Sequence, residues 1–202
     1  MMKLAIALCL ALPVVSNDAY ADRLMQAKTI AEVLITRDDG GFSVCGIRVV
    51  AIIDQGKVAR ASDFSVYFSV TRPYGFAKFA SWNVNSKSLQ SGSASLVPVG
   101  PRPTSFWIGL QHDGKGAAAT QVMAAQTPSY SLGIIPPRQA ADLISSMGAG
   151  MFMHYSITQP EQDNGIVGWF SLSIRDQEAQ SLRSCINGLA ARIESVDTSG
   201  GR

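Results

Sequence analysis

The chain has 202 residues and a formal net charge of +2, from 17 basic and 15 acidic side chains. So small and scattered an excess leaves no electrostatic footprint for nucleic acid or for an anionic membrane surface. Three cysteines and two histidines, far apart in the chain, are a poor basis for a zinc centre, and no metal or cofactor is expected.

Residues 1–21 read as a secretory signal peptide. Lys3 supplies the positive n-region, Leu4 to Val15 the apolar core, and Ala19-Tyr20-Ala21 the small-x-small cleavage site. The apolar core holds about a dozen residues, short of the roughly 20 that a membrane-spanning helix needs. Cleavage removes Cys9 together with one charge of each sign, Lys3 and Asp18, so the net charge stays at +2. The expectation is a periplasmic or secreted protein in which residues 22–202 form a single β-rich domain without a membrane span.

Two periodicities compete between Asp22 and Arg37. Leu24, Ala27, Ala31, Leu34 and Ile35 fit a helical stripe, whereas Thr29 to Thr36 also reads as a strand; a helix reaching Ile35 is preferred. Asp38-Asp39-Gly40-Gly41 is a turn. Phe42 to Ile53 is apolar on both faces apart from Arg48, as a central strand is. Phe64, Val66, Phe68 and Val70 alternate with Ser65, Tyr67 and Ser69, and Phe76 to Val84 continues a meander with Phe76 and Trp82 on one face.

Asn85 to Ser105 is rich in Ser, Gly and Pro and predicts an exposed loop without regular structure. Within it Val97, Pro98 and Val99 form a proline-framed apolar segment suited to contact a partner, since loops on a rigid scaffold commonly carry recognition. Thr104 to Gln111 and Tyr130 to Ile135 read as strands, and Ala117 to Gln126 as a strand or short helix.

Residues 136–195 predict helix, hairpin and helix. Ala140, Leu143, Ile144 and Met147 form one apolar stripe, Pro137 suits a first helical turn, and Gly148 is the expected stop. Met151 to Thr158 and Ile166 to Arg175 are strands joined by a polar turn with Asn164-Gly165. Asp176 is a suitable N-cap for a last helix whose apolar face holds Leu182, Cys185, Ile186, Leu189 and Ile193.

Cys45 and Cys185 remain after cleavage. In an oxidising compartment a pair on two core-facing elements reads first as a disulfide, with two buried thiols or a redox-active pair as the alternatives. The fold class that accounts for these elements is α+β. An antiparallel sheet, or a flattened barrel or sandwich, of about seven strands packs against two or three helices.

Motifs of catalysis are missing: no Gly-x-Ser-x-Gly elbow, Ser-x-x-Lys, His-Glu-x-x-His or phosphate-binding glycine loop occurs. His112 sits in a polar turn. His154 shares a strand face with Ser156, and a Ser-His pairing that draws on Ser171 or Ser173 is the one enzymatic alternative. The turns at Asp38-Asp39 and Glu161 to Asn164 carry oxygen ligands but lack the spacing of a calcium loop. Trp82, Trp107, Trp169, Tyr67, Tyr74 and Tyr155 are read as core or as a binding surface.

From Arg138 to Leu189 runs a cadence of short helix, glycine, strand, polar turn, a strand ending in Ser-Leu-Ser-Ile-Arg, and a final helix. It resembles the closing segment of the invasion-associated locus B family, although Tyr130 to Ile135 lacks that family's upstream cysteine pair. The resemblance implies an exported, non-enzymatic envelope protein with a β-rich fold. The expected function is binding to another envelope protein or to a host component. The alternatives are an exported hydrolase near His154 and an accessory subunit of a secretion or conjugation apparatus.

Overall fold

The computed structural model describes residues 25–70, 74–110, 116–160 and 166–199. The signal segment, the turn holding His112 and the turn with Glu161 to Gly165 lie outside the described residues.

Alternation dominates the first two thirds of the chain, and strands follow it. They are β1 (Met25–Gln26), β2 (Lys28–Asp38), β3 (Gly41–Asp54), β4 (Val58–Ser69) and β5 (Gly75–Asn85). After a short helix α1 (Ser86–Gln90) come β6 (Ser105–Leu110), β7 (Gly116–Ala118), β8 (Thr120–Ala124) and β9 (Ser131–Ile135). The C-terminal unit is α2 (Pro137–Gly148), β10 (Met153–Thr158), β11 (Ile166–Phe170) and α3 (Asp176–Ser199). The order is β2-β3-β4-β5-β9-β8 in a six-stranded sheet and β1-β11-β10-β6-β7 in a five-stranded one. All pairings are antiparallel except β1 with β11. The result is an α+β fold of two facing sheets that does not close into a barrel.

Turn chemistry sets the long meander. Asp38 and Asp54 each accept a hydrogen bond from the backbone two residues on, at 2.9 and 3.0 Å, and Gly41 and Gly56 follow with positive φ. The inner face of β3, β4 and β5 then buries Cys45, Ile47, Val49, Phe64, Val66 and Phe79. Phe106, Ile108, Tyr155 and Phe170 come from the other sheet. Phe64 lies 5.4, 5.1 and 5.7 Å from the rings of Phe106, Tyr155 and Phe170, so both sheets and both long helices share one core.

The expected stripe of α2 is buried as Ala140, Leu143, Ile144 and Met147. Gly148 stays helical, and the helix closes on Gly150 instead, at φ +71°. Gly150 N–H donates to Met147 O and Met151 N–H to Ser146 O, which satisfies two terminal carbonyls. Leu182, Cys185 and Leu189 of α3 are buried as expected, and Cys45 and Cys185 form a disulfide with sulfurs 2.06 Å apart.

Four expectations change. Residues 28–38 form a strand, not a helix, because Thr29, Ala31, Val33 and Ile35 alternate against a full-length partner in β3. Among the described residues there are eleven strands where about seven were expected; the additional ones are short pieces at sheet edges and a split between β7 and β8. Asn85 to Ser105 includes α1, capped by the Asn85 side chain, which accepts from Lys87 N–H at 2.9 Å. Finally, β11 ends at Phe170, and Ser171 to Arg175 leave the ladder on the way to α3.

Candidate functional site

α1 and the segment that follows it form a strap on the outer face of the six-stranded sheet. That face carries Ala61, Ala80, Trp82 and Val84, and Leu89, Ala94 and Leu96 of the strap pack against them. At its other end the strap is tied by its carbonyls: Gln159 donates to Pro101 O at 3.4 Å and Ser131 to Pro103 O at 2.6 Å. Between these attachments burial alternates. Leu96 and Pro98 are half-buried, whereas Val97 and Val99 are 67% and 64% exposed. An extended backbone produces this period of two, with both valines directed to solvent. Pro98 fixes its own φ and contributes no donor, which keeps the segment from joining a sheet.

Beside the strap lies a charged network on the same outer face. Asp63, in the middle of β4, is 1% exposed. Arg48 binds it as a fork, Nε to Oδ1 at 3.1 Å and Nη2 to Oδ2 at 2.7 Å. The Tyr130 hydroxyl donates to Oδ2 at 2.5 Å, Lys78 sits 4.4 Å over the Tyr130 ring, and Arg48 reaches Glu32 at 3.4 Å. Burial first, then the hydrogen bond to Asp63, pushes the Tyr130 hydroxyl well above its ordinary pKa. The hydrogen bonds to Asp63 raise that of Arg48, against burial, which lowers it. The network has all its members satisfied and pins the segment before β9 to the sheet.

A second polar cluster lies between the sheets. Arg60 donates to Ser81 Oγ at 3.2 Å, to Asn83 Oδ1 at 2.7 Å and to Gln159 Oε1; Gln159 in turn donates to Ser81 O at 2.6 Å. Burial lowers the Arg60 pKa, and it pushes the nearby Tyr155 hydroxyl up to about 12, with Ser62 pulling the other way.

His154 is on the outward face of the five-stranded sheet. Its register partners are Gly109 and Trp169, neither a nucleophile nor an acid, and Ser156 faces Trp107 and Val167. Ser171 and Ser173 follow the end of β11, off the ladder that holds His154. What gathers there is aromatic: Phe152 and Trp169 have rings 5.7 Å apart, and Phe152 and Val167 are exposed. Of the aromatics singled out by sequence, Trp82 and Tyr155 are core, Trp107 and Trp169 line this outward face, and Tyr74 is exposed.

Sequence reasoning missed the Asp63 network, the Arg60 cluster and the leucine anchors of the strap. Arg48 was the available signal, a lone charge in an apolar strand that needs an acid across the ladder. Among the described residues no group of histidine, cysteine or acidic side chains could hold a metal ion. No helix there is long and apolar enough to cross a membrane. Comparison with family models, with curated proteins and with solved structures finds no match.

Proposed function

We propose that this chain is an exported, non-catalytic protein that binds a protein of the bacterial envelope or of a host, with Val97-Pro98-Val99 in its contact surface. The observation that carries the reading is two outward valines on an extended segment tied down at both ends. Such a segment has little conformational freedom left to lose on docking, so apolar burial is not spent on ordering it. A concave partner surface with two apolar subsites about 7 Å apart matches alternate residues of an extended chain. Export is supported by the charge, apolar core and cleavage pattern of residues 1–21 and by the Cys45–Cys185 bridge, which suits an oxidising compartment. The resemblance of residues 138–189 to the invasion-associated locus B family points to the same class of envelope protein.

Photo-crosslinking in intact cells tests the reading, with a crosslinker placed at position 97 or 99 and, as control, at Thr120. A discrete partner crosslinked from 97 and 99, absent from 120, and lost when the valine that remains (Val99 or Val97) is changed to Asp, supports it. Equal crosslinking from all three positions, or none from 97 and 99, overturns it.

A further inference from the structure

Four strand edges bound the two sheets, and three are poor templates for another strand. β1 has two residues and β7 three. β8 has five, and its register with β9 slips between Thr120 and Met123, where Gln121 has φ +49°. Short and bulged edges are how sheets avoid pairing with other chains. β2 is different: it runs for 11 residues at the rim of the six-stranded sheet, and among the described residues its only strand partner is β3. It also carries Ile30, 59% exposed, more than any other large apolar side chain in a described strand.

The order of residues along β2 is self-complementary. In the antiparallel register that uses the whole strand, Val33 lies on a two-fold axis opposite its own copy. Ala31 then faces Ile35, Thr29 faces Arg37, Ile30 faces Thr36, Glu32 faces Leu34, and Lys28 faces Asp38 at both ends. No like charges meet, and the end pairs are opposite in sign. Centring on Glu32 sets that carboxylate against itself, and centring on Ile35 sets Glu32 against Asp38. Of the registers on this strand, the one about Val33 combines full-length pairing with opposite charges at both ends. Asp38 is also prepared for it: Gly40 N–H and Arg192 both donate to Oδ1, at 2.9 and 2.8 Å, which leaves Oδ2 for an incoming ammonium. The irregularity of β2 against β3, between Thr36 and Arg37, leaves Ala31 to Ile35 regular.

We propose that β2 pairs with the β2 of a second copy of this chain, antiparallel about Val33, joining the two six-stranded sheets edge to edge. Sedimentation velocity on the protein as isolated from cells is the test, from about 1 to 100 µM, the range in which a small interface associates weakly and reversibly. Lys28→Asp should weaken the dimer about tenfold, because it turns both end pairs from attraction to repulsion. At concentrations where both proteins are monomeric its melting temperature should not change, since Lys28 is exposed. Hydrogen exchange should show alternate amides of residues 29–37 slowed with rising concentration, and not slowed in Lys28→Asp. A monomer throughout the range overturns the proposal. A dimer that Lys28→Asp leaves intact, with the 29–37 amides unprotected, overturns it too, because the contact then lies elsewhere.

Discussion

At the scale of single residues, Asp63 sets the terms for its neighbourhood. A carboxylate excluded from water is tolerated only with its oxygens occupied, and Arg48 and Tyr130 occupy them. Removing a buried partner costs about 3–5 kcal/mol, but Arg48 is 42% exposed on its side chain, so solvent screens part of the loss. Arg48→Met is expected to lower stability by about 2–3 kcal/mol in urea unfolding. Tyr130→Phe should cost about 1.5–2 kcal/mol, because it removes one hydrogen bond to a charge. The tyrosines also set the alkaline limit. Tyr130 and Tyr155 have folded-state pKa values above the ordinary 10, so the folded form keeps protons that the unfolded chain releases. Their contribution is intact below pH 10 and is lost as pH rises through the folded values, about 12 for Tyr155. Stability should fall by about 1.4 kcal/mol per pH unit for each tyrosine above pH 10. Tyr155→Phe should make that decline shallower; an unchanged slope in unfolding measurements from pH 9 to 11.5 contradicts the assignment.

At the scale of elements, α2 and α3 are held by different devices. α2 sits close on the sheet because Gly75 has no side chain: a Cβ there would lie 2.2 Å from the Ala140 methyl and 3.0 Å from Ile135 O. Gly75→Ala is expected to destabilise by about 1–3 kcal/mol, since the helix must move off β5 to make room. α3 is tied to β3 by Cys45–Cys185, which spans 140 residues of sequence. In the chain-entropy account, opening a loop of that size costs about 4–5 kcal/mol. Reduced protein, or Cys45→Ala/Cys185→Ala, should therefore melt roughly 10–15 °C lower. Two alkylatable thiols in protein isolated without reductant would count against the bridge.

At the scale of the whole molecule, the strap separates stability from recognition. Leu89 and Leu96 lie against Trp82 and its neighbours, and Val97 and Val99 face water. Leu96→Ala should cost about 1–2 kcal/mol through lost apolar contact, whereas Val97→Ser/Val99→Ser should leave the melting temperature within about 1 °C. The strap thus has its own anchors, and the valines are free for a partner. Cleavage before Asp22 is a further expectation at this scale. Intact mass of the exported protein checks it, and a product that retains Met1 contradicts it.

Local pattern determined much of this protein from sequence alone. The apolar stripe of α2, the alternation of β4, β6 and β10, and the buried face of α3 that carries Cys185 each follow from short-range periodicity against a core. The exposure of Val97 and Val99 was legible for a related reason, because prolines and glycines around them offer no ladder. Tertiary structure decided the rest, where two local readings were equal or partners were distant. Residues 28–38 hold a helical stripe and a strand alternation at once, and only β3 alongside resolves them, by burying the alternate set. Asp63 is a strand carboxylate in sequence, yet Arg48 and Tyr130, 15 and 67 positions away, make it a buried junction. The same holds for the strap. Its leucines look like any loop residues until Trp82, on a neighbouring strand, supplies the surface that removes them from water.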